Sequence, residues 1–363
     1  MSPQGLLPSH TSAQERQWLL KITLMLSPLA FITLSPIAGR LSDRIGRKKT
    51  IFYCLIASLL GFVLPLLGIG LKKLWLVMLG RFIAGAGTTS QPIAQAAITD
   101  FSSGKHKAFN LGMIGLSMTL AMVLGPLGAG YCKTFSSPYW IGTALAVLNL
   151  ILLAFTFTET HPPETVAITL RQRFRLLNKP ILWLMCAFLM GELVWSGYYQ
   201  SAYLGFLHKE FNLSQTQIGT FMAYIGLWMC IGLTVVYRIG LKLFSPRRLC
   251  LLSIFSCTII LIAMLITNTI HAHWVLAPVV ALTFGIFYPS ILFLLSERTP
   301  KHSQGWMLGI ASQLLGLAWM LTFFSIDLPS HTILSIACIL GLSASLCCFL
   351  GERKHGPSTS AAR

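Results

Sequence analysis

The chain has 363 residues, 55% of them hydrophobic and only 10% charged, with a mean hydropathy of +0.72. An ordinary soluble domain carries about 25% Asp, Glu, Lys and Arg. A soluble enzyme is therefore excluded, and the formal charge of +17 reads as basic loops beside a bilayer, with no nucleic-acid partner expected.

Residues 1–17 are polar and show no cleavable signal pattern. From there, apolar runs long enough to span a bilayer fall at 20–39, 50–70, 73–98, 108–131, 138–158, 181–206, 217–238, 247–266, 272–295, 303–326 and 329–350. The expected fold is all-α and polytopic, with about eleven transmembrane helices. Twenty Lys and Arg lie in one alternating set of loops and six in the other, with Arg81 inside a span. The positive-inside rule then places the loop at 40–49 and the C-terminus in the cytoplasm and the N-terminus outside.

Weak internal repetition accompanies this pattern. Asn110-Leu111-Gly112-Met113 recurs as Met307-Leu308-Gly309-Ile310, and Gly39…Arg47 recurs as Gly240…Arg248. Parallel repeats joined by a long basic loop are the mark of two similar helical bundles. The expected organisation is an N-terminal bundle of about five spans over 1–158, a central cytoplasmic loop over 159–180, and a C-terminal bundle of six spans with a short tail over 181–363.

Several residues stand out against the apolar background. Asp43 and Arg47 are four apart, so one continuing helical turn would bring them together. Asp100, ending a span on the same side, would complete a cluster with them, and Gly39 and Gly46 allow tight turning and close helix approach. With Arg44, these residues form a candidate conformational latch, favoured over a purely topogenic role because an acidic residue such as Asp43 contributes little to orientation. Arg81 is followed by Gly85, Gly87, Gln91 and Gln95, a polar small-residue stripe suited to the bundle interior. Gly125-Pro126, with Gly112 and Gly130, marks a bent helix.

Glu192 is the acidic residue furthest inside a span, about eleven residues from the start of its helix. Ionised and facing lipid it would be untenable, so it is protonated, paired or turned toward a cavity. Trp195 and Tyr199 share its helical face and could wall a site for a cationic or zwitterionic amphiphile, although packing is the commoner use of such rings. The nine cysteines have neither disulfide nor ligand spacing, His271 and His273 alone make no closed metal site, and no metal is expected. Asn212-Leu213-Ser214 fits the glycosylation pattern, which is weak alone.

The run Gly39-Arg40-Leu41-Ser42-Asp43-Arg44-Ile45-Gly46-Arg47-Lys48-Lys49, the segment Arg81-Phe82-Ile83-Ala84-Gly85-Ala86-Gly87 and the helix containing Gly112, Ala121, Gly125-Pro126 and Gly130 together resemble the major facilitator superfamily. Within it they are similar to the drug:proton antiporters of the tetracycline-resistance and multidrug efflux type. The resemblance implies a two-bundle fold and a secondary active transporter exporting a small amphiphilic compound or drug by alternating access. The proton gradient would be its energy source, with no cofactor and no enzymatic activity. It also implies a small-molecule substrate and protons as partners, a monomer in the lipid bilayer, and residence in a bacterial inner membrane. The signature loop follows the first span here where the family has it after the second, so the first family helix is expected to be lacking. The alternatives are a solute uptake symporter, which the proline-containing helix disfavours, and a truncated membrane protein that does not transport.

Overall fold

The computed structural model describes residues 6–8, 10–101, 104–160, 177–202, 211–267, 269–299, 304–326 and 328–352, with the side chains at 99–114, 200–202, 304–306, 330 and 352 left out. Each expected span carries a helix, and no strand occurs among the described residues. In chain order they are α1 (Ala13–Ile45), α2 (Arg47–Gly70), α3 (Leu74–Gly87), α4 (Ser90–Phe101), α5 (Gly104–Tyr131), α6 (Ser137–Thr156), α7 (Lys179–Ser196), α8 (Gln215–Ile231), α9 (Tyr237–Leu243), α10 (Pro246–Thr267), α11 (Ile270–Glu297), α12 (Gln304–Thr322) and α13 (Ser330–Glu352). Counting α8 and α9 as one segment, nine helical segments among the described residues are long and apolar enough to cross a membrane.

Helix ends follow capping chemistry more closely than hydropathy. The first helix begins at Ala13, ahead of the expected residue 20, because Ser12 and Glu15 form a reciprocal capping box: Ser12 N–H donates to Glu15 (2.8 Å) and Glu15 N–H to Ser12 Oγ (3.2 Å). Ser214 and Gln217 start α8 in the same way. The hydroxyl in the Asn212-Leu213-Ser214 pattern is thus a helix cap.

The expected span at 73–98 is broken between α3 and α4. Pro92 has no N–H to offer the Thr88 carbonyl, and the hydroxyls of Thr88 and Thr89 donate to the carbonyls of Gly85 and Ala86 at 2.7 Å each, an alternative to continuing the helix. Two π-helical turns, Gly197–Ala202 after α7 and Gly232–Val236 between α8 and α9, were not expected from the sequence.

The chain groups into two compact units. One comprises Met1–Ile114, Leu127–Val166 and Trp319–Phe324, and the other Gly115–Pro126, Ala167–Ala318 and Ser325–Arg363. In the first, small residues let backbones meet. A Cβ at Gly61 would strike Ala84 across α2 and α3, one at Gly85 would strike the Ser27 backbone of α1, and one at Gly142 of α6 would strike the Phe62 ring. The lipid-facing side of α6 is left to Leu145, Leu152 and Phe155, all exposed.

The second unit has the larger core. On α7 the buried stripe runs through Ile181, Leu184, Phe188, Gly191 and Trp195, and continues to Tyr198 in the π-turn, at the three- and four-residue spacing of one helix face. Against α7 pack α11 and α13, while α10 packs on those two helices and reaches Tyr198 through Met264; the shared core includes Ile254, Leu261, Phe284, Phe287 and Ala344. A close backbone approach joins α11 and the second π-turn, where a Cβ at Gly232 would come within 2.6 Å of the Leu282 carbonyl oxygen.

Candidate functional site

Three groups of residues were expected to carry function, and each has a definite place. The first is the corner between α1 and α2. Arg47 Nη1 lies 2.7 Å from Asp43 Oδ1 and donates to Ser42 Oγ at the same distance, so the expected pair meets. It does not meet on one continuing helical turn, because α1 stops at Ile45 and the chain turns at Gly46, whose φ of +99° lies where a side chain is strained. Arg47 is 9% exposed and Asp43 49%, so the pair itself contributes little and the buried guanidinium is held mainly by its geometry. Arg44 is exposed, and a Cβ at Gly39 would meet nothing within 4 Å among the described residues, so no close helix approach at Gly39 occurs among them. The side chain of Asp100 lies outside the described residues.

The corner's main organiser lies in the segment expected to form the central loop. Glu159, just beyond α6, accepts the Arg47 N–H at 2.8 Å and the Lys48 N–H at 3.1 Å. Gly46 offers no side chain to cap α2, so this carboxylate takes two of the orphaned donors and meets the positive end of the helix dipole. A Cβ at Gly46 would collide with the same carboxylate. The available signal was an acidic residue standing in a basic loop, the argument already applied to Asp43.

The second group lies on α3 and α4. Arg81 is half-buried, and its Nε has no hydrogen-bond partner among the described residues. The stripe that was to include it is not one helix face: the break at Thr88–Thr89 separates Arg81 from the half-buried Gln91 and Gln95. Gly85 and Gly87 serve packing, facing Ser27 of α1 and Ser58 of α2.

The third group surrounds Glu192. Its side chain is 1% exposed, on the buried stripe of α7 between Phe188 and Trp195, and its Oε1 meets no hydrogen-bond donor among the described residues. Tyr288 of α11 stands within electrostatic reach of it and packs on Phe188 at 6.1 Å. Trp195 stacks on Tyr199 (5.2 Å) and on Phe284 (4.9 Å). These three rings pack on one another. The helix is locally loosened here: Ser196 Oγ donates to the Glu192 carbonyl at 2.6 Å, and the π-turn follows at once. Such turns are common at functional sites. Tyr199 lies in that turn and donates its hydroxyl to the Met122 carbonyl of α5 at 3.3 Å. Of the bend motif, Pro126 lies within a helix that continues to Tyr131, Gly125 has no neighbour within 4 Å of a Cβ, Gly130 is buried, and Gly112 is helical with its surroundings outside the described residues.

Residues 6–323 match the family model of the Major Facilitator Superfamily. The chain belongs to that superfamily. Among curated superfamily relatives, the class C tetracycline resistance protein of Escherichia coli is 27% identical over 309 residues, covering 82% of this chain and 76% of that one. The class B protein of the same organism is 24% identical over 308 residues, covering 80% and 73%. A triacylglyceride transporter of Mycolicibacterium smegmatis is 30% identical over 148 residues, which is 39% of this chain and 26% of that one. Of solved superfamily structures, the human organic anion transporter MFSD10 (TETRAN) aligns with a TM-score of 0.75 at 16% identity, covering 90% of this chain and 83% of that one. A bacterial homologue of the iron transporter ferroportin in its outward-facing state aligns with a TM-score of 0.69 at 14% identity, covering 93% and 91%. Superfamily membership and the apolar helices make this an integral multi-pass membrane protein of a transporter family.

Proposed function

We propose that the chain exports a small amphiphilic compound carrying positive charge in exchange for protons, by alternating access, with Glu192 as the group that proton and substrate share. The observation that carries this reading is a carboxyl 1% exposed, with an oxygen that no described donor meets. Burying an unpaired charge is prohibitive, whereas a neutral acid or a carboxylate facing a cation is tolerable. A proton and a cationic substrate then exclude one another at one site, and the proton gradient drives export with no cofactor. Arg81, permanently charged, is available for an anionic portion of the substrate, with Gln91 and Gln95 as polar company. The Asp43–Arg47 corner serves as the latch of one state. In this reading the 40–49 loop and the C-terminus face the cytoplasm, the N-terminus lies outside, and the protein works as a monomer in a bacterial inner membrane.

The test is flux in proteoliposomes under an imposed pH gradient. Ethidium serves as a permanently cationic probe, and tetracycline is included because the relatives are tetracycline resistance proteins. Glu192→Gln keeps the shape and removes the titrating proton. The native chain is expected to move at least one probe with the gradient, and the variant to insert normally while losing that pH-driven flux at least tenfold. Equal pH-driven flux in both proteins would reduce Glu192 to a packing residue.

A further inference from the structure

The Tyr199–Met122 hydrogen bond has a partner in the covalent chemistry of α5. In an α-helix the carbonyl of residue 122 accepts the N–H of residue 126. Residue 126 is proline, which has no N–H. The Met122 carbonyl is therefore left without its helical donor, on a half-buried residue of an apolar helix, where an unmet carbonyl is costly. The Tyr199 hydroxyl, 3.3 Å away, supplies a donor. On α8, Gly226 comes close to the same group: a Cβ there would stand 3.0 Å from the Met122 carbonyl carbon and oxygen. The missing side chain lets α8 pack against this carbonyl without covering it with a Cβ. All these residues fall in one compact unit, which takes in Gly115–Pro126 of α5.

We propose that Tyr199 is a positioning residue: its hydroxyl closes the carbonyl that Pro126 frees, tying the proline-containing part of α5 to the turn that follows Glu192. The tie runs through named contacts. Glu192 and Trp195 share a helix face, the Trp195 ring stacks on Tyr199 at 5.2 Å, and the Tyr199 hydroxyl reaches α5. A shift of α7 at Glu192 then changes the hydrogen bonding of α5 at its weakest point. This inference rests on the transport reading for its use, and on the geometry alone for its existence.

A double-mutant cycle tests it in the full-length protein. Tyr199→Phe keeps the ring and its stacking while removing the hydroxyl, and Pro126→Ala returns the helical N–H to the Met122 carbonyl. In the native background, Tyr199→Phe is expected to raise the unfolding constant in detergent micelles about three- to fifteenfold, the range of interhelical hydrogen bonds in membrane proteins. In the Pro126→Ala background the same change is expected to do less than twofold. Equal effects in the two backgrounds overturn the proposal, and Pro126→Leu replaces Pro126→Ala should that variant not be recovered. In proteoliposomes, Tyr199→Phe is expected to lower ethidium turnover by a similar factor with apparent KM unchanged. Unchanged turnover removes the positioning role. If the native chain moves neither ethidium nor tetracycline, the transport reading fails, and the unfolding cycle still decides whether the tie exists.

Discussion

Glu159 illustrates how a residue can matter through its acceptors alone. It is exposed, yet it receives the first two N–H groups of α2. Glu159→Ala is expected to lower stability by about 0.5–2 kcal/mol, the usual worth of an N-terminal cap. Glu159→Gln, which keeps one acceptor oxygen, should cost less; an unfolding titration in detergent reads both. Gly46→Ala combines a strained φ of +99° with a Cβ that displaces the Glu159 carboxylate. It should therefore cost about as much as losing the cap or more, and the loss should not add to that of Glu159→Ala if both act through one contact. Residues were unevenly legible at this scale. Glu192 was visible because an acid deep in an apolar run must be protonated, paired or turned toward a cavity. The Asp43–Arg47 pair was visible from its spacing. Glu159 was hidden because its two donors lie more than a hundred residues away, which no local pattern encodes.

At the scale of elements, glycines that look alike in the sequence have opposite surroundings. A Cβ at Gly85 would drive into the backbone of Ser27, which cannot rotate aside, whereas one at Gly125 meets nothing within 4 Å among the described residues. Gly85→Val is expected to destabilise the chain by about 1–3 kcal/mol through overpacking. Gly125→Ala should be neutral, or stabilising by up to about 1 kcal/mol from helix propensity alone. Thermal unfolding of the two variants beside the native protein separates the cases, and a larger loss for Gly125→Ala would reverse the assignment. The helices themselves were readable because hydropathy over some twenty residues is a strong signal. The break at Thr88–Thr89 was masked, since Pro92 and the threonines sit in an otherwise apolar run. The π-turns could not be read either. Gly232 meets the Leu282 backbone and Tyr199 meets Met122, so the packing around these turns comes from distant elements rather than from the local sequence.

For the whole molecule, the charge asymmetry makes a directional prediction. In a cysteine-free background, His10→Cys should react with a membrane-impermeant maleimide in intact cells, and Lys49→Cys only after the membrane is opened. Labelling in the reverse order would invert the topology. The fold class followed from composition and periodicity alone, because only helices or closed barrels satisfy their backbone in lipid. The two compact units do not follow helix ends, since α5 and α12 each contribute residues to both. The corner at Gly46 has one more consequence, and it concerns time. Arg47 and Glu159 are 112 positions apart, so at about 5–20 residues per second the ribosome adds the carboxylate roughly 6 to 20 s after the amides it will cap. During that interval the start of α2 has only water, lipid headgroups or the insertion machinery to satisfy it. Emergence of α6 from the ribosome, rather than of α2, is therefore the moment at which this end of the protein becomes committed to its final shape.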